Sequence, residues 1–151
     1  MNTELQYRVD EMSEDVYRFN YDFDYKSISP EDLEFQFEHS VNVLKETEQI
    51  AIAVLVHLGT RKDDLVHQGI RALFTVTPID EFIKGANDEG VVVSTPRLIE
   101  TFIAVSIGAI RGLLVKNLKG TPLDGIVLPL VPMNIISQNA VKNISERLIT
   151  E

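Results

Sequence analysis

Apolar and polar residues alternate without a break from Tyr17 to Tyr25. Tyr17, Phe19, Tyr21, Phe23 and Tyr25 hold one parity, and Arg18, Asn20, Asp22 and Asp24 hold the other. A period of two marks a strand with one buried face, so this stretch is expected as the first strand, with its rings turned to a core. The alternation resumes from Leu33 to Leu44, where Leu33, Phe35, Phe37, Val41 and Val43 oppose Glu34, Gln36, Glu38, Ser40 and Asn42. A third strand, Ile50 to Leu58, is apolar on both parities and fits a central position covered on both sides. A fourth runs from Gly69 to Thr77 and stops at Pro78. Turn residues in SISPEDL and GTRKDD, and links too short for a parallel crossover, imply antiparallel pairing.

From Pro96 the period becomes helical. Ser94 or Thr95 can cap, Pro96 suits the first helical position, and Arg97 to Leu118 contains no proline before Gly120 ends it. A second helix is expected from Met133 to Leu148, with Ile136, Ala140, Ile144 and Leu148 on one face. The order predicts an α+β fold: a four-stranded antiparallel sheet followed by two helices packed on one face. The length of 151 residues suits one domain spanning residues 1–151, with about the first 14 residues as a flexible N-terminal segment.

The first helix is apolar nearly all round between Phe102 and Leu114. Only ten uncharged residues separate Glu100 from Arg111, about half of a bilayer span, so membrane insertion is not expected. One sheet can cover only one face of this helix, and the other face predicts a partner subunit. Ala104, Gly108 and Gly112, four apart, form a small-residue stripe that suits either an oligomer contact or a tight seat on the chain's own sheet.

The net charge is 14 − 23 = −9, and all of the excess lies in residues 1–48, which hold 13 acids and 4 bases. This balance argues against a nucleic-acid partner. It makes Asp22, Asp24, Glu34 and Glu38 a candidate acidic face for docking a basic partner, if that face is more than a solvated surface. The absence of cysteine and of an apolar leader points to the cytoplasm. His39, His57 and His67 have no metal-ligand spacing and no phosphate-binding loop is present, so no metal, cofactor or catalytic residue is expected, and no enzyme.

Several strings resemble one family: IRALFTVTPIDEF, then STPRLIETFIAVSIGAIRGLLVKNLKGTPLDGIVLPLVP, then a helix beginning MNII. The most specific pieces are Phe74, Arg111-Gly112, Gly120-Thr121 and Leu128-Pro129. Together they are similar to the SecB family of protein-export chaperones over residues 70 to about 148. The resemblance implies an ATP-independent chaperone that holds unfolded or partly folded client polypeptides and hands them to a translocase motor protein. It also implies a homotetramer built as a dimer of dimers, with Ala104, Gly108 and Gly112 at the oligomer interface. Phe35, Phe37, Leu123, Ile126, Leu128 and Leu130 are the expected client groove. Family members carry a mobile tail past the second helix that is not found after Leu148. A SecB-like relative dedicated to one partner, such as a toxin–antitoxin module, fits the same residues.

Overall fold

The computed structural model describes residues 4–87, 90–131 and 144–149. Four long strands, β1 (Gln6–Phe19), β2 (Glu34–Leu44), β3 (Gln49–Gly59) and β4 (Asp64–Thr77), form an antiparallel sheet in the order β1-β4-β3-β2. A short helix α1 (Ile79–Phe82) and a hairpin of β5 (Ile83–Asn87) and β6 (Gly90–Val93) lead into the long helix α2 (Pro96–Asn117). The class is α+β, with a four-stranded antiparallel sheet and a long helix, as the periodicity predicts.

Helix α2 starts with Pro96 at its first position and buries Leu98, Ile99, Phe102, Ile103, Ile107, Ile110 and Leu114, spaced three and four apart. This stripe lies over β3 and β4, whose inward residues Ile50, Ile52, Val54, Ile70, Ala72 and Phe74 are all buried. Phe102 stacks on Phe74 with ring centroids 4.0 Å apart. Buried Ser106 satisfies its hydroxyl on the Phe102 carbonyl at 2.9 Å. By length and composition α2 could cross a membrane, with mean hydropathy 1.9, and 44% of its apolar window is buried within the fold.

Three expectations change. The first strand begins at Gln6 rather than Tyr17, and residues 6–14, expected as flexible, pair with β4. Two bulges, at Asp10 and Asp15, hide this strand from a period-two reading. Inward parity runs Tyr7 and Val9, then Met12 and Glu14, then Tyr17 and Phe19, each opposite a core residue of β4. Among the described residues no other layer covers the second face of β3: Ala51, Ala53, Leu55 and His57 are half-buried. There the small side chains leave a shallow concavity of about 410 Å³ between Ser40, Asn42, Arg71 and Leu73. Of the second helix expected from Met133 to Leu148, residues 133–143 lie outside the described residues. Its end instead forms β7 (Ile144–Ile149), parallel to β2, because the edge of β2 offers unpaired backbone groups.

In the order β1-β4-β3-β2 the first two strands of the chain are not neighbours. Residues 20–33 therefore cross the end of the sheet, past the β3–β4 hairpin, to bring the chain from β1 to β2. That crossing positions the candidate site.

Candidate functional site

The aromatic row does not continue as a strand. Asn20 takes the Leu65 carbonyl with its N–H at 2.8 Å and accepts from the Asp22 N–H at 3.0 Å. Asp24 caps a 3-10 turn at Tyr25–Ser27 by accepting from the Lys26 N–H at 3.1 Å. The polar members of the alternation, Asn20, Asp22 and Asp24, are residues that bond their own backbone and disfavour strands. The rings consequently fold onto one another. Phe19 meets Tyr21 at 4.7 Å and Tyr25 at 5.4 Å, and Phe23 meets Tyr25 edge-on at 5.1 Å. The Tyr25 hydroxyl donates to the Asn20 carbonyl, which closes the knot. Burial, with Tyr17 and Tyr21 nearby, raises the Tyr25 phenol above its ordinary range.

The knot opens outward. Phe19, Tyr21, Phe23 and Tyr25, with Pro122 from the segment after α2, line a cleft of about 460 Å³. Tyr21 at its mouth is 76% exposed. On the other side of Phe23 a second recess of about 580 Å³ runs past Ile28, Asp32 and Glu34 to the β3–β4 hairpin.

Beneath the knot, at the C-terminal end of α2, lies a saturated polar network. Gln68, fully buried, donates to the Glu14 carboxylate at 2.9 Å and the Val16 carbonyl at 3.2 Å, and accepts from Asn117 at 2.8 Å. Asn117 also donates to Glu14 at 2.8 Å, while the Tyr17 hydroxyl donates to the Asn117 carbonyl at 3.2 Å. Burial, then Tyr21 and Glu14, raises the Tyr17 phenol.

The segment after α2 is built by two devices. Gly120 (φ 78°) and Gly125 (φ 91°) supply left-handed turns, and Thr121 donates to the Leu118 carbonyl while accepting from the Leu123 N–H. Arg111 then reaches across from α2 and donates to the Leu128 carbonyl at 2.8 Å and the Pro129 carbonyl at 2.9 Å. The residues that most specify the family resemblance, Arg111 and Leu128-Pro129, are thus one contact.

The expected groove residues divide. Leu123 and Leu128 are core, at 4% and 1% exposure, and anchor the segment; Phe35, Phe37 and Ile126 are half-buried against that core; Leu130 is 86% exposed. Asp22 and Asp24 lie in the crossing rather than on the back of a strand, while Glu34 and Glu38 are exposed on the face of β2 away from α2. Gly108 and Gly112 are on the outward face of α2, where an added Cβ would meet nothing within 4 Å, so a tight seat on the chain's own sheet is not their reason; Ala104 is half-buried beside them. His57 and His67, expected to share no ligand set, are direct cross-strand neighbours with Asp64 beside them. The sequence left open which rings of the aromatic row are core and which line a groove, and did not single out Tyr21; Pro122, the Arg111 clamp and the Gln68 network were missed. Only the clamp left a signal, in the apolar segment that an arginine must hold.

Such an arrangement, an antiparallel sheet under one long helix with an apolar segment leaving the helix, is that of the SecB-like fold. The fold is similar to that of a Mycobacterium tuberculosis SecB-like chaperone solved in complex with a ChAD peptide from the HigA1 antitoxin. The TM-score is 0.55 at 12% identity, over 83% of this chain and 90% of that one. A protein of unknown function from Streptococcus agalactiae superposes less well, with TM-score 0.43 at 12% identity over 85% of this chain and 100% of that one. No family model matches the sequence, and no curated protein matches it.

Proposed function

We propose that this protein binds an extended, partly apolar polypeptide segment of a dedicated partner, as a chaperone that uses no nucleotide. The observation that carries this reading is the aromatic cleft of Phe19, Tyr21, Phe23, Tyr25 and Pro122. Tyr21 is open to solvent there while its ring rests on Phe19. Rings offer large contact area with few rotamers to freeze, and a tyrosine adds a hydroxyl for backbone groups. The apolar residues of the next segment, Val127 at 55% and Leu130 at 86% exposure, extend the same surface. Acids outnumber bases along the two recesses, with Asp24, Glu31, Asp32, Glu34 and Asp63 against Lys26, Arg61 and Lys62, which favours a partner with basic residues flanking its apolar stretch. A peptide-bound neighbour of the same fold supports the partner-specific reading over broad export work.

Fluorescence anisotropy with a labelled extended peptide, apolar at alternate positions and flanked by lysines, tests this. Tyr21→Ser should weaken binding about tenfold while leaving the thermal midpoint unchanged, since the side chain is exposed. Equal affinity in Tyr21→Ser, or no binding by the unchanged protein, removes the reading. Near-stoichiometric suppression of aggregation across several unrelated denatured clients would instead select the general holdase.

The outer face of α2 completes the proposal as the contact with a second copy. Two glycines inside a helix cost roughly 2 kcal/mol relative to alanine, and among the described residues nothing lies within 4 Å of where their Cβ atoms would be. Val105 and Val115 beside them are 42% and 43% exposed. Light scattering should give a multiple of 17.0 kDa; a monomer at micromolar concentration would sink this part alone.

A further inference from the structure

On the face of the sheet away from α2, at the end that carries the β3–β4 hairpin, four side chains from three adjacent strands converge. His57 of β3 and His67 of β4 are directly opposed, with ring centroids 4.5 Å apart. Asp64 stands beside His67, its Oδ2 3.8 Å from Nε2, and Glu38 of β2 reaches His57, its Oε2 3.5 Å from Nε2. Ligand atoms of His57, Asp64 and His67 all lie within 4.8 Å of one another.

Both Nε2 atoms are buried and make no hydrogen bond among the described residues. A buried imidazole nitrogen normally takes a partner at hydrogen-bond distance, and here two carboxylates stand nearby yet too far to serve. The spacing suits a cation between the groups better than a proton. Zinc holds nitrogen and carboxylate oxygen at about 2.0–2.2 Å in a tetrahedron, so its donors sit roughly 3.3 Å apart. The two histidine–carboxylate gaps, 3.5 and 3.8 Å, lie close to that value.

From this geometry we infer that His57, His67, Asp64 and Glu38 form a binding site for zinc or a zinc-like divalent transition ion. Two imidazoles select that class of ion over magnesium and calcium, which require oxygen shells. His57, Asp64 and His67 are the clustered three, and Glu38, which approaches His57, would be the fourth ligand; with it no position is left open, which makes the site a structural clip rather than a catalytic centre. It would tie β2, β3 and β4 together where residues 20–33 cross the sheet. A polar recess of about 140 Å³ reaches His57 and Asp64, with Glu34 and Asp63 but also Arg61 and Lys62 in its wall. The hairpin that borders it is held in shape by the Thr60 hydroxyl, which accepts from the Lys62 and Asp63 N–H groups.

Calorimetric titration of zinc chloride into the full chain, freed of any affinity tag, tests the inference. One ion per chain should bind saturably, the thermal midpoint should rise with zinc concentration, and magnesium should do neither. The double variant His57→Gln, His67→Gln should bind zinc at least about tenfold more weakly while keeping the far-ultraviolet circular dichroism of the unchanged protein. Cobalt in the same site should show the intense visible bands of a tetrahedral ion. Unsaturable zinc uptake, equal affinity in a folded double variant, or the weak spectrum of octahedral cobalt would each overturn it. None of these readouts depends on peptide binding.

Discussion

Two polar constellations occupy the same end of the sheet on opposite faces, and they differ in one respect. On the helix side Gln68, Glu14, Asn117 and Tyr17 are linked so that each amide hydrogen that matters finds an acceptor. On the far side His57 and His67 are half-buried side chains with buried Nε2 atoms; two carboxylates stand near, and those Nε2 atoms make no hydrogen bond among the described residues. A saturated network fixes one geometry, because any movement leaves a buried group without a partner. An unsaturated one leaves interaction capacity in reserve, which a ligand can use. The first therefore belongs to the scaffold under the aromatic cleft, and the second belongs to whatever the protein binds there.

Substitution separates the two directly. Gln68→Ala should lower the unfolding free energy by about 3 kcal/mol, since it opens a cavity at a fully buried position and strips Asn117 and Glu14 of a partner. The matched change on the far face, His57→Gln with His67→Gln in metal-free protein, should cost less than about 1 kcal/mol, because no hydrogen bond is lost. Urea unfolding measures both. If the histidine pair proved as costly as Gln68, the contrast would fail, and the far-face cluster would be ordinary scaffold.

The contrast also bears on what a sequence discloses. The strands β2, β3 and β4 and the helix α2 were legible because burial imposes a regular period on them. Pro96 and Gly120 mark the ends of the helical stretch in the sequence itself. Strand β1 was not legible, because bulges at Asp10 and Asp15 reset its parity twice. The aromatic row misled for the opposite reason, having a perfect period without the propensity. Asn20, Asp22 and Asp24 bond to local backbone, and that preference outweighed the alternation. The Gln68 network joins residues 49 to 103 apart in sequence, and the histidine cluster depends on the register of β3 against β4. Neither register nor bulge position is written in residue spacing, so neither constellation could be read before the fold was known.

A third saturated group, at the first bulge, should give the smallest effect and sharpen the contrast by pH. The Asp10 carboxylate accepts from the Thr75 hydroxyl, from Gln49 at 3.0 Å and from Arg8 at 2.8 Å. These bonds, Thr75 first, lower its pKa from 3.8 to about 2. A carboxyl whose pKa falls on folding binds its proton more readily in the unfolded chain. Its contribution is therefore complete above about pH 4 and fades as the pH drops toward 2. Asp10→Asn should remove that contribution, lowering stability modestly near neutrality, leaving it little changed near pH 2, and so flattening the acid limb of the stability curve between those values. Carbon-detected NMR titration of the Asp10 carboxyl gives the direct check. A midpoint at 3.8 or above would mean that the bulge does not hold the carboxylate, and that saturation there is geometric only.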